Sequence, residues 1–274
     1  MFYCKLDKNR YNYDDSNMNI PYDLKNPKKI YKLPNKYKEI SGIWFLQGLN
    51  SLAFVQDEAI RVYQFDLSSE EIAKYAKHGA GDSEDIVILG DTAYILQAGK
   101  RSAIYKLSDY LNGSSRCTRY DLNLKEEYNP EGLCHDAKKN RLLIACKGSL
   151  INGDTERKIF SFNIKSGKQS NTPVFTINCQ DFLDGDGDTF NPSGIAIHPI
   201  SNDIYLIYAK GVKMIVCYGL DVRFKGAEEL DKDRFNQPEG IAFMESGELI
   251  ISSEGKKGKK ARIYRFPFNH NLGY

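Results

Sequence analysis

The sequence predicts an all-β fold, a single β-propeller, and three observations predict it. An acid-Gly-aliphatic step, or a near copy, opens an apolar run five times: Glu39-Ile40-Ser41-Gly42-Ile43, Glu84-Asp85-Ile86, Glu131-Gly132-Leu133, Ser193-Gly194-Ile195 and Glu239-Gly240-Ile241. Successive copies lie 45, 47, 62 and 46 residues apart. A period in the mid-forties marks one four-stranded blade per repeat. The long interval is one repeat plus an insertion at 148–188. Five blades follow, with six as the alternative if the insertion hides a weakly marked one. Last, the fifth repeat runs out at Tyr274 before its fourth strand, while Lys28-Lys29-Ile30-Tyr31-Lys32-Leu33 is a spare strand ahead of the first repeat. That strand is expected to complete the last blade and close the ring, removing open sheet edges.

Each repeat then supplies its strands in order. The second run reads Leu52-Ala53-Phe54-Val55, Ala93-Tyr94-Ile95-Leu96, Leu142-Leu143-Ile144-Ala145, Ile204-Tyr205-Leu206-Ile207 and Leu249-Ile250-Ile251. Asn50, Asp91, Asn140, Asp203 and Gly247 precede these runs and favour tight hairpin turns. The third run is richer in aromatic and β-branched residues, as in Val62-Tyr63-Gln64-Phe65 and Ile263-Tyr264-Arg265-Phe266, which suits half-buried pleated faces. A more polar outer strand fits 72–75, 117–122 and 174–177. Helical periodicity is nearly absent; only 68–78 has room for a short helical turn. Residues 1–21 read as a flexible leader, a polar Asn/Asp/Tyr-rich character that continues to residue 26, and 22–274 as the propeller domain.

Composition narrows the function classes. The 274 residues carry 38 basic and 36 acidic side chains, net +2, so no strong field favours nucleic acid. The lysine run Lys256-Lys257-Gly258-Lys259-Lys260 lacks interleaved aromatics for stacking bases and reads as a solvated loop. Six cysteines show no CxxC spacing, which argues against structural zinc; Cys134, Cys146 and Cys217 lie in apolar strands as buried thiols. No apolar stretch is long enough to span a bilayer. Met1-Phe2-Tyr3-Cys4-Lys5 resembles the stump of a lipoprotein signal, making Cys4 a candidate lipid anchor, although Phe2-Tyr3 fits that signal poorly.

Equivalent positions of a propeller converge on its axis. Glu39, Glu84, Glu131 and Glu239, with Ser193 as fifth member, form one predicted ring at the channel mouth. Seven residues beyond each turn residue lies a second column: Asp57, Ala98, Lys147, Lys210 and Glu254. Glu58 and Asp82 adjoin the columns. Carboxylates gathered this closely raise one another's pKa, and three remedies exist. A hard cation, Ca²⁺ or Mg²⁺, would take them as oxygen ligands. Lys147 and Lys210 would pair with them, or carboxyls would share protons and so furnish an acid or base. A purely structural use stands beside these: each Glu accepting backbone N–H bonds from the next blade. Asp184-Gly185-Asp186-Gly187-Asp188 resembles the start of a calcium loop but lacks the Gly and the closing acid of an EF-hand. His78, His135, His198 and His270 show no metal-ligand spacing. No nucleophile elbow, Walker loop or dinucleotide fingerprint occurs, and no organic cofactor is indicated.

An ordered set of motifs carries a family resemblance: Leu33-Pro34, Glu39-Ile40-Ser41-Gly42, Asp57-Glu58, Gly81-Asp82-Ser83-Glu84, Pro130-Glu131-Gly132-Leu133, Cys146-Lys147, Pro192-Ser193-Gly194-Ile195-Ala196-Ile197-His198-Pro199, Gln237-Pro238-Glu239-Gly240 and Ser252-Ser253-Glu254. Across residues 22–268 the chain resembles the SdiA-regulated (YjiK-like) β-propeller family of bacteria. Ser83 and Asp85 depart from its pattern, which more often has an aromatic and a Gly there. The resemblance implies a place in the cell envelope and no defined activity. Two function classes remain. One is a binding module, expected to be monomeric, that holds a cation, small polar ligand or protein partner at the mouth. The other is a metal-dependent lactonase or phosphoesterase using Glu39, Asp57, Glu84, Glu131, Glu239 and Glu254. In that enzyme Lys147 and Lys210 would face an anionic substrate.

Overall fold

A computed structural model describes residues 20–148, 155–183, 189–209, 211–256 and 258–270. Strand β1 (Lys29–Lys32) is followed by five blades, each running outward from the axis. Blade 1 is β2 (Ile40–Leu46), β3 (Ser51–Gln56), β4 (Ala59–Asp66) and β5 (Ile72–Lys74). Blade 2 is β6 (Ser83–Leu89), β7 (Thr92–Gln97), β8 (Ala103–Ser108) and β9 (Arg116–Asp121). Blade 3 is β10 (Pro130–Asp136), β11 (Arg141–Cys146) and β12 (Glu156–Asn163), with an interrupted outer edge. There β13 (Lys168–Gln169) and β14 (Phe175–Asn178) pair one after the other with β12. Blade 4 is β15 (Pro192–Ile197), β16 (Ile204–Tyr208), β17 (Met214–Tyr218) and β18 (Phe224–Glu229). Blade 5 is β19 (Pro238–Phe243), β20 (Leu249–Ser253) and β21 (Arg262–Phe266).

The spare N-terminal strand does close the ring: β1 pairs antiparallel with β21, Lys29 opposite Arg265 and Lys32 opposite Arg262. Glu248 fastens this edge, with one carboxylate oxygen 2.6 Å from Lys28 Nζ and the other held by Arg265. The chain is therefore a five-bladed β-propeller.

Period-two alternation builds the core. Along β3, Leu52 and Phe54 face the seam with blade 5, while Ala53 and Val55 face blade 2. The buried apolar side chains fall into five clusters, one per seam. Each fully buried Leu, Ile or Phe contributes roughly 1.5–3 kcal/mol, so every seam is a substantial adhesive surface. The turns between first and second strands place Asn50, Gly90, Asn140, Asn202 and Gly247 at positive φ. In blades 2 and 4 the left-handed residue is thus one before the expected Asp91 and Asp203. Asn and Gly bear that conformation at least cost.

Two expectations are revised. Residues 68–78 hold no helix; a turn leads into β5. Residues 1–19 of the expected leader, with Cys4, lie outside the described residues, but its end is packed. Ile20, Tyr22 and Leu24 are buried between blades 4 and 5, and Tyr22 donates to the Gly247 carbonyl at 2.7 Å. Among the described residues no helix is long and apolar enough to cross a membrane. Cys134, Cys146, Cys179 and Cys217 are buried cysteines and Cys117 is an exposed one.

Candidate functional site

Every inner strand meets its neighbour with a register irregularity just inside one mouth of the channel. It falls between Ile40 and Ile43, Ser83 and Asp85, Pro130 and Gly132, Pro192 and Gly194, and Pro238 and Ile241. A bulge re-aims the side chain it leaves unpaired. Here it presents Ser41, Glu84, Glu131, Ser193 and Glu239 to a common chamber of about 180 Å³. The residues that follow each second strand form the next ring: Asp57, Lys147, Ala209 and Glu254 line the chamber, and Ala98 is buried, its N–H bonded to the Asp82 carbonyl at 3.0 Å. A third ring, two residues ahead of the first, comprises Glu39, Asp82, Asn129, Asn191 and Gln237; Asp82, Asn191 and Gln237 reach the chamber, and Tyr208 completes the wall.

Five of the six predicted carboxylate positions therefore meet, and Asp82 brings the lining acids to six. Glu39 does not line the chamber. It belongs to the third ring and pairs with Lys38 at 2.8 Å, which holds its carboxyl below the usual range. The first-ring residue of blade 1 is Ser41, and the signal was present: Ser41-Gly42-Ile43 repeats Ser193-Gly194-Ile195 letter for letter. Glu58 is exposed beside the mouth. Lys210 lies outside the described residues, and the column position assigned to it is held by Ala209. The second strand of blade 4 ends at Tyr208, opposite Pro192, so the residue that follows it is Ala209. Asn191, Gln237 and Tyr208 have no counterpart in the predicted columns. The Asp184–Asp188 stretch also lies outside the described residues.

The electrostatics turn on which acids have partners. Asn129 donates to Glu131, whose carboxylate also pairs with Lys147 Nζ at 2.6 Å; Gln237 donates to Glu239 at 2.6 Å. In blade 2 the amide of the third ring is replaced by Asp82, a like charge. Burial raises the Glu84 pKa strongly, with repulsion from Glu131, Asp82 and Glu239 adding to it. Burial also raises Glu131, opposed by Lys147 and by a hydrogen bond with Glu84. Burial alone would lower Lys147, but Glu131, Glu84 and Glu239 outweigh it and hold the ammonium charged. The two shifts pull the pair in opposite senses. Donors from Asn129, Lys147 and Glu84 oppose the rise at Glu131, while burial and three like charges drive Glu84 toward its protonated form. Across the mouth, burial, reinforced by Glu39, Asp82 and Glu58, pushes Asp57 up to about 6. Its Oδ1 is buried without a hydrogen-bond partner.

Side chains bond to the main chain of a neighbouring blade at several points near the mouth. Ser41 Oγ donates to the Glu84 carbonyl at 2.7 Å, Ser193 Oγ to Pro238 at 2.8 Å and Ser252 Oγ to Ser41 at 2.8 Å. Asp85 accepts from Leu133 N–H at 2.7 Å. His198 lies at the opposite face, fully buried among Tyr22, Tyr205, Phe243 and Phe268; burial pushes it down to about 4. Among the described residues no three His, Cys, Asp or Glu side chains gather closely enough to hold a metal ion. The chamber's carboxylates are spread around its wall.

Fold and site together define a five-bladed propeller with an acidic channel mouth. The SdiA-regulated family model matches residues 22–257, and the chain belongs to that family. A comparison with curated proteins finds no match. Among solved structures the chain is similar to a luciferin-regenerating enzyme (12% identity, 88% of this chain and 95% of that one covered, TM-score 0.54). It is also similar to a glucose dehydrogenase (12%, 86% and 98%, TM-score 0.55) and a gluconolactonase from Xanthomonas campestris (11%, 90% and 87%, TM-score 0.52). At such identities the likeness is one of fold alone.

Proposed function

We propose that the protein is a binding module whose channel mouth takes a small cation. One observation carries this: six carboxylates from four blades line a chamber of about 180 Å³ in which Lys147 is the sole basic side chain among the described lining residues. A cleft walled by one sign of charge focuses its field and concentrates counter-ions. Because the acids are dispersed, the reading favours a ligand that meets them at several points, either a hydrated Ca²⁺ or Mg²⁺ reached through water or an organic amine. Glu131 and Glu239, already oriented by amide donors, would fix the ligand. Asp57 and Glu84 would lose protons as it enters, so binding strengthens with pH.

Calorimetry and thermal melting with Ca²⁺, Mg²⁺ and spermidine test this at pH 5.5 and 7.5. A ligand specific to the folded state stabilises it by about 2.7 kcal/mol at a hundredfold excess over Kd. The expected result is a shift with at least one cation, larger at pH 7.5. No shift with any of the three, at either pH, refutes the proposal.

The hydrolase reading rests on Glu84, whose burial among like charges raises its pKa strongly and favours a carboxyl able to donate a proton. Hydrolysis of a lactone or phosphoester by the protein supplied with Ca²⁺ or Mg²⁺, abolished by Glu84→Gln, would favour it over simple binding.

A further inference from the structure

Around the first ring the order of side chains is Ser41, Glu84, Glu131, Ser193 and Glu239. Two acids are neighbours across one seam only, that between blades 2 and 3. The residue after each ring member is Gly42, Asp85, Gly132, Gly194 and Gly240, so the same seam has an aspartate where the other four have glycine.

Those glycines sit against the next blade. A Cβ on Gly194 would lie 2.6 Å from the Glu239 carbonyl oxygen, and one on Gly240 would lie 2.7 Å from that of Ser41. On Gly132 it would lie 3.0 Å from the Ile195 nitrogen, and on Gly42 2.1 Å from Asp85 Oδ1 and 2.4 Å from the Asp85 Cα, so the Asp85 side chain also lies against Gly42 of blade 1. A Cβ has no room at the contacts under 3.0 Å and little at the one of 3.0 Å, so at each of these four seams the glycine lets the main chain approach the next blade directly. At the remaining seam a whole side chain intervenes. Asp85 is 2% exposed; Oδ1 accepts the N–H of Ile86 at 2.8 Å, and Oδ2 spans the seam to the N–H of Leu133 at 2.7 Å. Glu84 immediately precedes it, and Glu131 lies two residues before Leu133. The acid–acid seam and the wedged seam are one and the same.

We propose that Asp85 is a positioning residue, a buried wedge that holds β6 and β10 apart so that Glu84 and Glu131 can face the chamber side by side. Its effect on ligand rests on the cation-binding reading, but the wedge itself does not. Without it the strands would close as at the other seams and press the two carboxyls together, or leave the Ile86 and Leu133 N–H groups without acceptors. Either outcome changes the spacing that a cation bridging blades 2 and 3 would meet. Asp85 thereby becomes a determinant of which cation the mouth prefers.

The test compares Asp85→Gly, which restores the residue of the other blades, with the isosteric Asp85→Asn. Two readouts are taken: Ca²⁺, Mg²⁺ and spermidine affinity by calorimetry, and the titration of glutamate carboxyls by NMR. Misplacement of binding groups by an ångström costs about tenfold or more. Asp85→Gly is expected to weaken the preferred cation about tenfold and to displace the Glu84–Glu131 titration, while Asp85→Asn, which keeps the bulk of the wedge but accepts only one of the two N–H groups, loses less. Asp85→Ser, too short to reach Leu133, replaces the glycine variant if that one does not fold, with the same expectation. Wild-type affinity and an unchanged glutamate titration in the shortened variant would overturn the wedge. Failure of the wild type to bind any of the three cations, with the titration displaced in Asp85→Gly, would instead remove the binding reading and leave the wedge standing.

Discussion

Lys147→Met separates the energetic role of the mouth from its binding role, because the two should move in opposite directions. The Lys147 ammonium is about a quarter exposed, and its partner Glu131 only 4%, with 2.6 Å between them. Removing one partner of a buried pair leaves a charge without compensation and costs about 3–5 kcal/mol. Two more acids, Glu84 and Glu239, act on the Lys147 ammonium, and Asp82 acts on Glu131, so the upper half of that range is expected. At this chain length about 4 kcal/mol lowers Tm by roughly 10 °C. Glu131 can escape part of the cost by taking up a proton. In the variant its pKa rises further above the unfolded value, so the native state binds more protons than the unfolded chain. Linkage then requires the destabilisation to be small at acid pH and to grow as pH rises through the raised value. Urea melts of both proteins between pH 4.5 and 8.5 should show the widening gap, and Glu131→Gln on the variant background should recover most of it. The same substitution removes the sole described basic group of the chamber wall, so cation affinity should increase. A gap independent of pH, or a fall in cation affinity, would refute the electrostatic account.

Two further substitutions probe separate parts of the argument. Asp57, with an ordinary value of 3.8 raised to about 6, contributes stability below its unfolded pKa that is lost as pH climbs through 6. Asp57→Asn should therefore match the wild type near pH 4 and exceed it by about 1 kcal/mol at pH 8, after discounting for the exposure of the group; denaturant melts at both pH values decide. Gly240→Ala should destabilise by about 3 kcal/mol, since its Cβ would meet Ser252 Oγ at 2.5 Å and the Ser41 carbonyl oxygen at 2.7 Å. Gly113→Ala, with open space around it, should be near neutral in the same thermal melts.

The propeller was legible because its determinants are local and repeated. Apolar runs near a 46-residue period, turn residues ahead of each second strand and a spare strand at one end leave few architectures that bury everything. The closing strand could be placed from sequence because a fifth blade lacking its outer strand has only one unpaired candidate, residues 28–33. The site was legible only to within a residue or two. Glu39 was aligned with Glu84 on the strength of its charge, yet the bulges put Ser41 in that ring and Glu39 in the one above. Seven residues past Asp203 lies Lys210, but β16 ends at Tyr208, one residue earlier than the second strands of the other blades by the same count, and delivers Ala209 to the wall.

These slips have a common physical cause, and it says where the chemistry of this fold is decided. In a regular strand a one-residue shift reverses the face of every side chain, so the apolar pattern itself would expose an error. At a bulge the alternation is broken, and neighbouring residues no longer report one another's direction. The first ring of the mouth is built from bulge positions and the second from residues just past a strand end, so the pattern that fixes the core is silent at both. What remains legible there is chemistry relative to the other repeats. Two adjacent acids in a ring that otherwise alternates acid with serine, an aspartate where four blades have glycine and a lysine among acids each break the symmetry that packing alone would preserve. All three departures meet at the seam of blades 2 and 3, in Glu84, Asp85, Glu131 and Lys147. The ring supplies five nearly equivalent seams, and this sequence has made one of them different.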